Sequence, residues 1–421
     1  MRRLIFASSV VALLAGCGGD PVLDKQDGKG LVKLEAACSL AGLPSALRET
    51  LVVIDKTMVK PADPETFRVE NPELWALVTG LADGQRASDT GAMAPRERLT
   101  IALADPQSGG LEQLFTGCLP GLSADEMAGR TGKGEDGLSS KFFGSDMASQ
   151  ISRQREEFLK QVVISIATAK FGGQARPADN FGDSGFARTL KTVGPGRGTP
   201  GLVRRVFLFA DPAKALTTVP AEYVAARKQG FDASDGFQAN FGQSDIYVVP
   251  AGRPLGENQR AFLDAFLLAS RGDLKSVAPF SPDGLSKPPV RLISYSGELP
   301  LGGGIKTPME LRLASAADGT IVNSWISYTG SKGVRATPLA GQFVCGAEGV
   351  CDLRGDPNLS LGQRWRTEPG KAPQPLPEGP FGGMRLIEGK DDGQRLTGRI
   401  YDPVIYVGDT GDIPLVARRT E

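Results

Sequence analysis

Histidine is absent from all 421 residues, and that absence excludes more chemistry than any motif in the chain suggests. Without an imidazole there is no Ser-His-Asp or Cys-His arrangement, no histidine-containing zinc site and no histidine general base. A charge of one sign is missing too. The 48 Lys and Arg residues balance the 48 Asp and Glu residues, which leaves no basic field for nucleic acid and no polyanionic tail. There is no long hydrophobic run: the apolar stretch from Leu4 to Leu14, broken by Ser8 and Ser9, is too short to span a bilayer as a permanent helix. No paired-acid motif stands out either, so a non-enzymatic role is expected. A carboxylate-dependent hydrolase built on Asp55 and Asp211 is the weaker alternative.

What is present begins with Arg2 and Arg3 ahead of that apolar stretch, the charged-then-apolar order of a secretion signal. The stretch ends in Leu14-Ala15-Gly16-Cys17, which resembles the bacterial lipobox. The resemblance implies cleavage before Cys17 and lipidation of its thiol; an ordinary signal peptide with a chance cysteine is the alternative. Several acyl chains hold firmly because each buried methylene adds about 0.8 kcal/mol. Gly18 follows the cysteine, where an aspartate is associated with inner-membrane retention in enteric bacteria. The expected location is therefore the cell envelope, lipid-anchored, at the outer membrane and facing the periplasm or the cell surface.

Four further cysteines, Cys38, Cys118, Cys345 and Cys351, read as two disulfides in an oxidising compartment. Cys345 and Cys351 enclose a turn-like loop that favours a local bridge, which leaves Cys38 for Cys118. A four-thiolate zinc site is the alternative, and the distance in sequence between Cys38 and Cys118 speaks against it.

About 405 residues remain after cleavage, more than one hydrophobic core usually serves. The expected division is a signal peptide at 1–16, a lipidated tether with a short helix at 17–46, an α/β domain at 47–280 and a β-rich domain at 290–421. Thr50 to Asp55 and Val203 to Asp211 are apolar runs ending in a carboxylate, the pattern of strands buried on both faces. Arg98 to Asp105, Glu112 to Thr116 and Ser244 to Val249 read as further strands. Helices are expected after Asn71-Pro72, from about Asp146 to Phe171, after Ser184 and from Glu257 to Arg271. This alternation predicts a mostly parallel sheet covered by helices. Beyond Pro279 the helical period disappears, and nine short candidate strands suggest a sandwich or small barrel, with Asp318-Gly319 as a hairpin turn. Trp325 and Trp365 fall in those strands and read as core.

The region from about Leu47 to Pro279 resembles a divergent von Willebrand factor A domain in the order of its elements. That resemblance implies a doubly wound sheet and a divalent cation held at one end of it by an Asp-x-Ser-x-Ser motif, a distant Thr and a distant Asp. In Asp55-Lys56-Thr57-Met58-Val59 the first two ligand types are kept, and Val59 stands where the second serine belongs. Ser184 matches the distant hydroxyl and Asp211 the distant carboxylate, although Pro212 follows where the family usually has glycine. The implied ligand set is thus Asp55, Thr57, Ser184 and Asp211, with Mg²⁺ as the hard, oxygen-preferring cation. The competing reading of the same residues is purely local: Asp55 caps the turn after its strand, Thr57 and Ser184 cap helices, and Asp211 begins a turn. The expected function is attachment: a membrane-anchored lipoprotein binding a protein or an envelope polymer. A metal-free assembly scaffold is the alternative.

Overall fold

A computed structural model of the chain describes residues 36–39, 43–59, 71–82, 90–122, 126, 139–173, 180–193, 199, 201–237, 240–300, 306–330, 333–356, 365–366, 374–375, 385–401 and 412–420. The signal segment, Cys17 and the tether as far as residue 35 lie outside the described residues, as do 129–137, 174–179 and 194–198.

The first sheet contains β1 (Arg48–Asp55), β2 (Arg98–Asp105), β3 (Gly110–Cys118), β4 (Val203–Ala210), β5 (Ser244–Pro250) and β6 (Gly272–Val277). Their order is β3-β2-β1-β4-β5-β6. Every neighbouring pair is parallel except β2 with the edge strand β3, which is antiparallel. The helices are α1 (Pro72–Ala82), α2 (Ser139–Ala167), α3 (Gly185–Thr192), α4 (Pro212–Ala215), α5 (Tyr223–Phe237) and α6 (Glu257–Ala269). Among the described residues no helix is long and apolar enough to cross a membrane.

Strands β1, β4 and β5 are buried at every position, because helices cover both faces of the sheet. Alternate side chains divide between two cores. Leu51, Val53, Val206, Leu208, Ile246 and Val248 meet α3, α5 and α6 through Leu190, Phe237, Phe262 and Phe266. Val52, Ile54, Phe207, Phe209, Tyr247 and Val249 meet α1 and α2 through Leu74, Leu77, Phe158 and Val162. Asn71 starts α1 as expected, its Oδ1 accepting from the Leu74 amide at 3.0 Å. The Cys38–Cys118 disulfide ties a short 3₁₀ turn (Ala36–Cys38) to the end of β3.

The remaining strands are β7 (Arg291–Pro300), β8 (Lys306–Ser315), β9 (Ser324–Gly330), β10 (Gly333–Leu339), β11 (Gly341–Cys345), β12 (Cys351–Gly355), β13 (Trp365–Arg366), β14 (Gln374–Pro375), β15 (Arg385–Asp391), β16 (Arg395–Tyr401) and β17 (Asp412–Arg419). Except for the separate β13–β14 pair they form one antiparallel sheet, β10-β9-β8-β7-β17-β16-β15-β12-β11. It curls until β11 meets the turn after β8, where the Ile321 amide donates to Gly341 O at 2.9 Å and the Phe343 amide to Gly319 O at 2.7 Å. A nearly closed sheet results, with one apolar interior that includes Ile293, Tyr295, Leu311, Leu353, Leu396 and Leu415. Trp325 is buried, 1% exposed. Strands β10 and β11 are separated at Gly341, which takes a φ of +134 and where a Cβ would run into the backbone of β12. Cys345 and Cys351 stand directly opposite on β11 and β12 and are bridged.

The two sheets meet at the amino ends of β4 and β5. Val203 packs with Ala314, Ala316 and Val322. Asn323 Nδ2 donates to Arg204 O at 2.7 Å, and an Arg312 guanidinium nitrogen to Gln243 O at 3.2 Å. Beside this contact lies a buried ionic cluster. Arg48 grips Glu97 with Nε at 3.0 Å and Nη2 at 2.9 Å, while the Thr50 hydroxyl and the Ala94 amide also donate to the Glu97 carboxylate. Arg205 Nη2 adds a Coulombic contact at 3.2 Å, and its Nε donates to Thr50 Oγ1 at 2.6 Å. Burial disfavours the Glu97 charge, but Arg205 and Arg48 outweigh it and hold the carboxyl below its usual range. Burial, with Arg48 alongside, brings the Arg205 guanidinium down to about 10.

The cluster also clasps the segment between the sheets. Arg48 Nη1 donates to Ser286 O at 2.7 Å, the Ser286 amide donates to Tyr247 Oη at 3.0 Å, and Ser286 Oγ donates to Asp245 at 3.2 Å. Removing the carboxylate in Glu97→Ala strands two buried cations, which costs about 3–5 kcal/mol. Urea unfolding followed by circular dichroism measures this, and a loss below about 1 kcal/mol would show that the cluster contributes little.

Candidate functional site

Parallel strands deliver their carboxyl ends to one edge, where ligands of open α/β sheets collect. In this chain that edge lies opposite the contact with the β domain, and three strands bring an aspartate to it: Asp55 as the last residue of β1, Asp105 as the last of β2 and Asp211 directly after β4. Apolar strand residues drive each of these carboxylates to the rim, because the run before it is consumed by the two cores.

Each aspartate has a different surrounding. Asp55 is 3% exposed, and its Oδ1 accepts from the Thr57 amide at 2.9 Å and the Thr57 hydroxyl at 2.8 Å, closing a tight turn. Burial pushes its carboxyl above the ordinary range; the Thr57 bonds oppose that rise, the Asp105 charge adds to it and Lys214 reduces it. Asp105 is paired with Lys56 at 2.6 Å. Burial works against ionisation there too, but Lys56, the Gln107 amide and the Ser108 hydroxyl prevail and hold Asp105 at about 2. Asp211 caps α4, taking the Ala213 amide on Oδ1 at 3.2 Å, and its Oδ2 meets Lys214 at 3.2 Å. Gly252, just beyond β5, lies so close that a Cβ there would come within 2.8 Å of the Asp211 carboxylate.

Of the four residues expected to act together, Asp55 and Asp211 follow adjacent strands, and Thr57 is bonded to Asp55. Lys214 acts on both carboxylates: it is paired with Asp211 and its charge is felt by Asp55. Ser184 caps α3, accepting from the Ala187 amide at 3.1 Å and donating to Phe181 O at 2.6 Å. The adjoining Gly185 abuts Pro106 in the turn after β2, within 3.1 Å of a Cβ built on the glycine, so Ser184 too belongs to this rim. The helix cap expected of Ser184 is thus present, and Asp211, expected to begin a turn, caps the short helix α4 instead. Among the described residues no three acidic or cysteine side chains converge as a metal-holding group.

Beside Ser184 and α4 opens a cleft of about 380 Å³ lined by Asn180, Phe181, Lys191, Val219, Phe237 and Phe262, among others. Phe181 packs edge-on against Phe262 and Phe266 at 5.0 and 4.9 Å, and Lys191 Nζ sits 4.3 Å above the Phe237 ring. Lys214, Asp105 and Gly252 escape a sequence reading focused on one motif. Asp105 carries the same apolar-run-then-carboxylate signal as Asp55, whereas nothing in the sequence marks Gly252.

The raised Asp55 carboxyl has a definite linkage sign. Its folded-state value lies above the unfolded one, so its stabilising contribution is complete below about pH 3.9 and is lost as pH rises through the folded value. Asp55→Asn keeps an oxygen acceptor for Thr57 and removes that titration. The expected outcome in urea titrations is a variant at least as stable as wild type at neutral pH and less stable relative to it below the unfolded value. A variant weaker at neutral pH would show that the charge stabilises the fold. No model of a protein family matches the sequence, and no curated protein is significantly similar to it.

Proposed function

We propose that the chain is a lipid-anchored protein of the bacterial envelope whose α/β domain is a divergent von Willebrand factor A-like module, non-enzymatic, that binds another protein or an envelope polymer through its carboxyl edge. The observation that carries the reading is the asymmetry of the sheet: the β domain packs against the amino edge, and the opposite edge holds Asp55, Thr57 and Asp211. The strand order β3-β2-β1-β4-β5-β6 with one antiparallel edge strand supports the family resemblance. The two disulfides support an oxidising compartment, and the lipobox-like Leu14-Ala15-Gly16-Cys17 supports the anchor. Gly18 after the cysteine favours the outer membrane, and the balanced charge disfavours nucleic acid as a partner.

Mg²⁺ at this edge is the more specific form of the proposal. Asp55, Thr57 and Asp211 offer oxygen donors on adjacent strands, but as arranged they do not fit a cation. Lys214 is paired with Asp211 Oδ2, Thr57 Oγ1 donates to Asp55, and Ser184 Oγ already makes two hydrogen bonds. Binding requires Mg²⁺ to displace Lys214, and that requirement favours metal-independent attachment as the resting state of the edge.

Two measurements test these statements. In cells, Cys17→Ser is expected to move the protein from the membrane to the soluble fraction, and unchanged membrane retention would remove the lipid anchor. With the soluble chain beginning at Gly18, capture of an envelope component is expected to be lost in Asp55→Ala/Asp211→Ala and to survive a chelator. Capture abolished by the chelator would establish the Mg²⁺ form instead, in which case calorimetry should show tighter Mg²⁺ binding by Lys214→Ala. Equal capture by wild type and double variant would remove the edge as the binding surface.

A further inference from the structure

The outer face of the β domain carries a second cleft, unrelated to the carboxyl edge. Strand β7 pairs with β8 over ten residues and β17 pairs with β16 over seven, yet β7 and β17 pair with each other over three, from Gly297↔Ala417 to Tyr295↔Arg419. Beyond Gly297 the two strands part. A cleft of about 640 Å³ opens there, lined by Ser296, Glu298, Lys306, Arg395, Val416 and Arg418, among others. Its size is that of a small-molecule site.

The charges in this cleft are unusual for a sheet surface. Arg395 on β16 stands directly opposite Arg418 on β17. The Arg419 amide donates to Gln394 O at 2.8 Å, so residues 394 and 419 are the hydrogen-bonded pair, and 395 with 418 occupies the closer, non-bonded position. Like charges placed this way repel. Among the described residues neither guanidinium forms a hydrogen bond or ion pair; Asp392 is near enough to feel Arg395 but forms no ion pair with it. The one carboxylate in the lining, Glu298, is already paired with Lys306 at 3.6 Å. Two positive charges without an ion-pair partner, on neighbouring strands, therefore face one cavity.

We infer that this cleft is a binding site for a small phosphate-bearing molecule, with Arg395 and Arg418 clamping the phosphate group. A phosphomonoester carries about −1.5 to −2 near neutral pH, which matches two guanidinium charges, whereas a single carboxylate neutralises one. The guanidinium fork also suits the tetrahedral oxygens of phosphate through paired N–H donors. Ser296 and the Glu298–Lys306 pair line the same cleft and supply polar partners for the remainder of the molecule. The inference stands independently of the attachment function proposed for the carboxyl edge.

Calorimetric titration of the soluble chain with inorganic phosphate, at low ionic strength and about pH 8, tests it. Saturable binding is expected, weakened at least tenfold in each of Arg395→Ala and Arg418→Ala and partly retained in Arg418→Lys. Both arginines are exposed, and unchanged circular dichroism would show that the fold is kept. Acetate is expected to bind far more weakly than phosphate, and glucose 6-phosphate at least as tightly. Absence of saturable phosphate binding, a double alanine variant that binds as wild type does, or acetate binding equal to phosphate would each overturn the site. Phosphate binding with glucose 6-phosphate excluded would overturn the assignment of a larger phosphorylated ligand.

Discussion

A carboxylate with no solvent exposure stays ionised only where cations are brought to it, and Glu97 stays so because Arg48 and Arg205 arrive from two different strands. The Coulombic attraction has to exceed the cost of stripping water from all three groups, and the extra donors from Thr50 and Ala94 tip that balance. The energetic return is small compared with a well-packed apolar alternative. Its structural consequence is larger, because the contact is available in one register of β1, β2 and β4. Parallel apolar strands rich in valine, leucine and phenylalanine offer little else to distinguish one alignment from a slipped one.

That cluster also decides which edge of the sheet is used for assembly. Ser286, in the segment that joins the two sheets, is bound by Arg48 and Asp245, at the amino ends of β1 and β5, and by the Tyr247 hydroxyl. The β domain is thereby held against the amino edge, where Val203 and Arg204 receive Val322 and Asn323. The opposite edge is left with three aspartates of one sequence pattern and three environments. Lys56 secures the ionised form of Asp105, burial resists it at Asp55, and a helix amide with Lys214 engages Asp211.

Much of this was legible in the residues. The apolar runs ending at Asp55 and Asp105, the Asn71-Pro72 start of α1 and the Ser184 cap of α3 are all local signals, and each element appears within a few residues of its expected bounds. The disulfide partners followed from spacing. Helix α5 was not legible, because Gly230 and Gly236 interrupt a polar stretch of weak helical period. Its reason is tertiary: Gly230 lies against the Phe262 carbonyl, so the absence of a side chain lets α5 and α6 come close. Strand β10 was hidden for a similar reason, since the turn at Gly341 is set by the neighbouring backbone of β12.

Residue order alone therefore determined the alternation of strands and helices, the change to β structure after Pro279 and the arrival of Asp55, Asp105 and Asp211 at strand ends, because each depends on the periodicity of a short segment. Tertiary structure alone decided that the charge of Lys214 reaches Asp55 as well as Asp211, that Glu97 draws two arginines into the interior, and that Arg395 and Arg418, opposite each other on paired strands, border the gap where β7 and β17 part. Those outcomes join residues far apart along the chain, or across a strand register, and depend on how charges are desolvated and paired once the cores have closed. No local pattern encodes that balance.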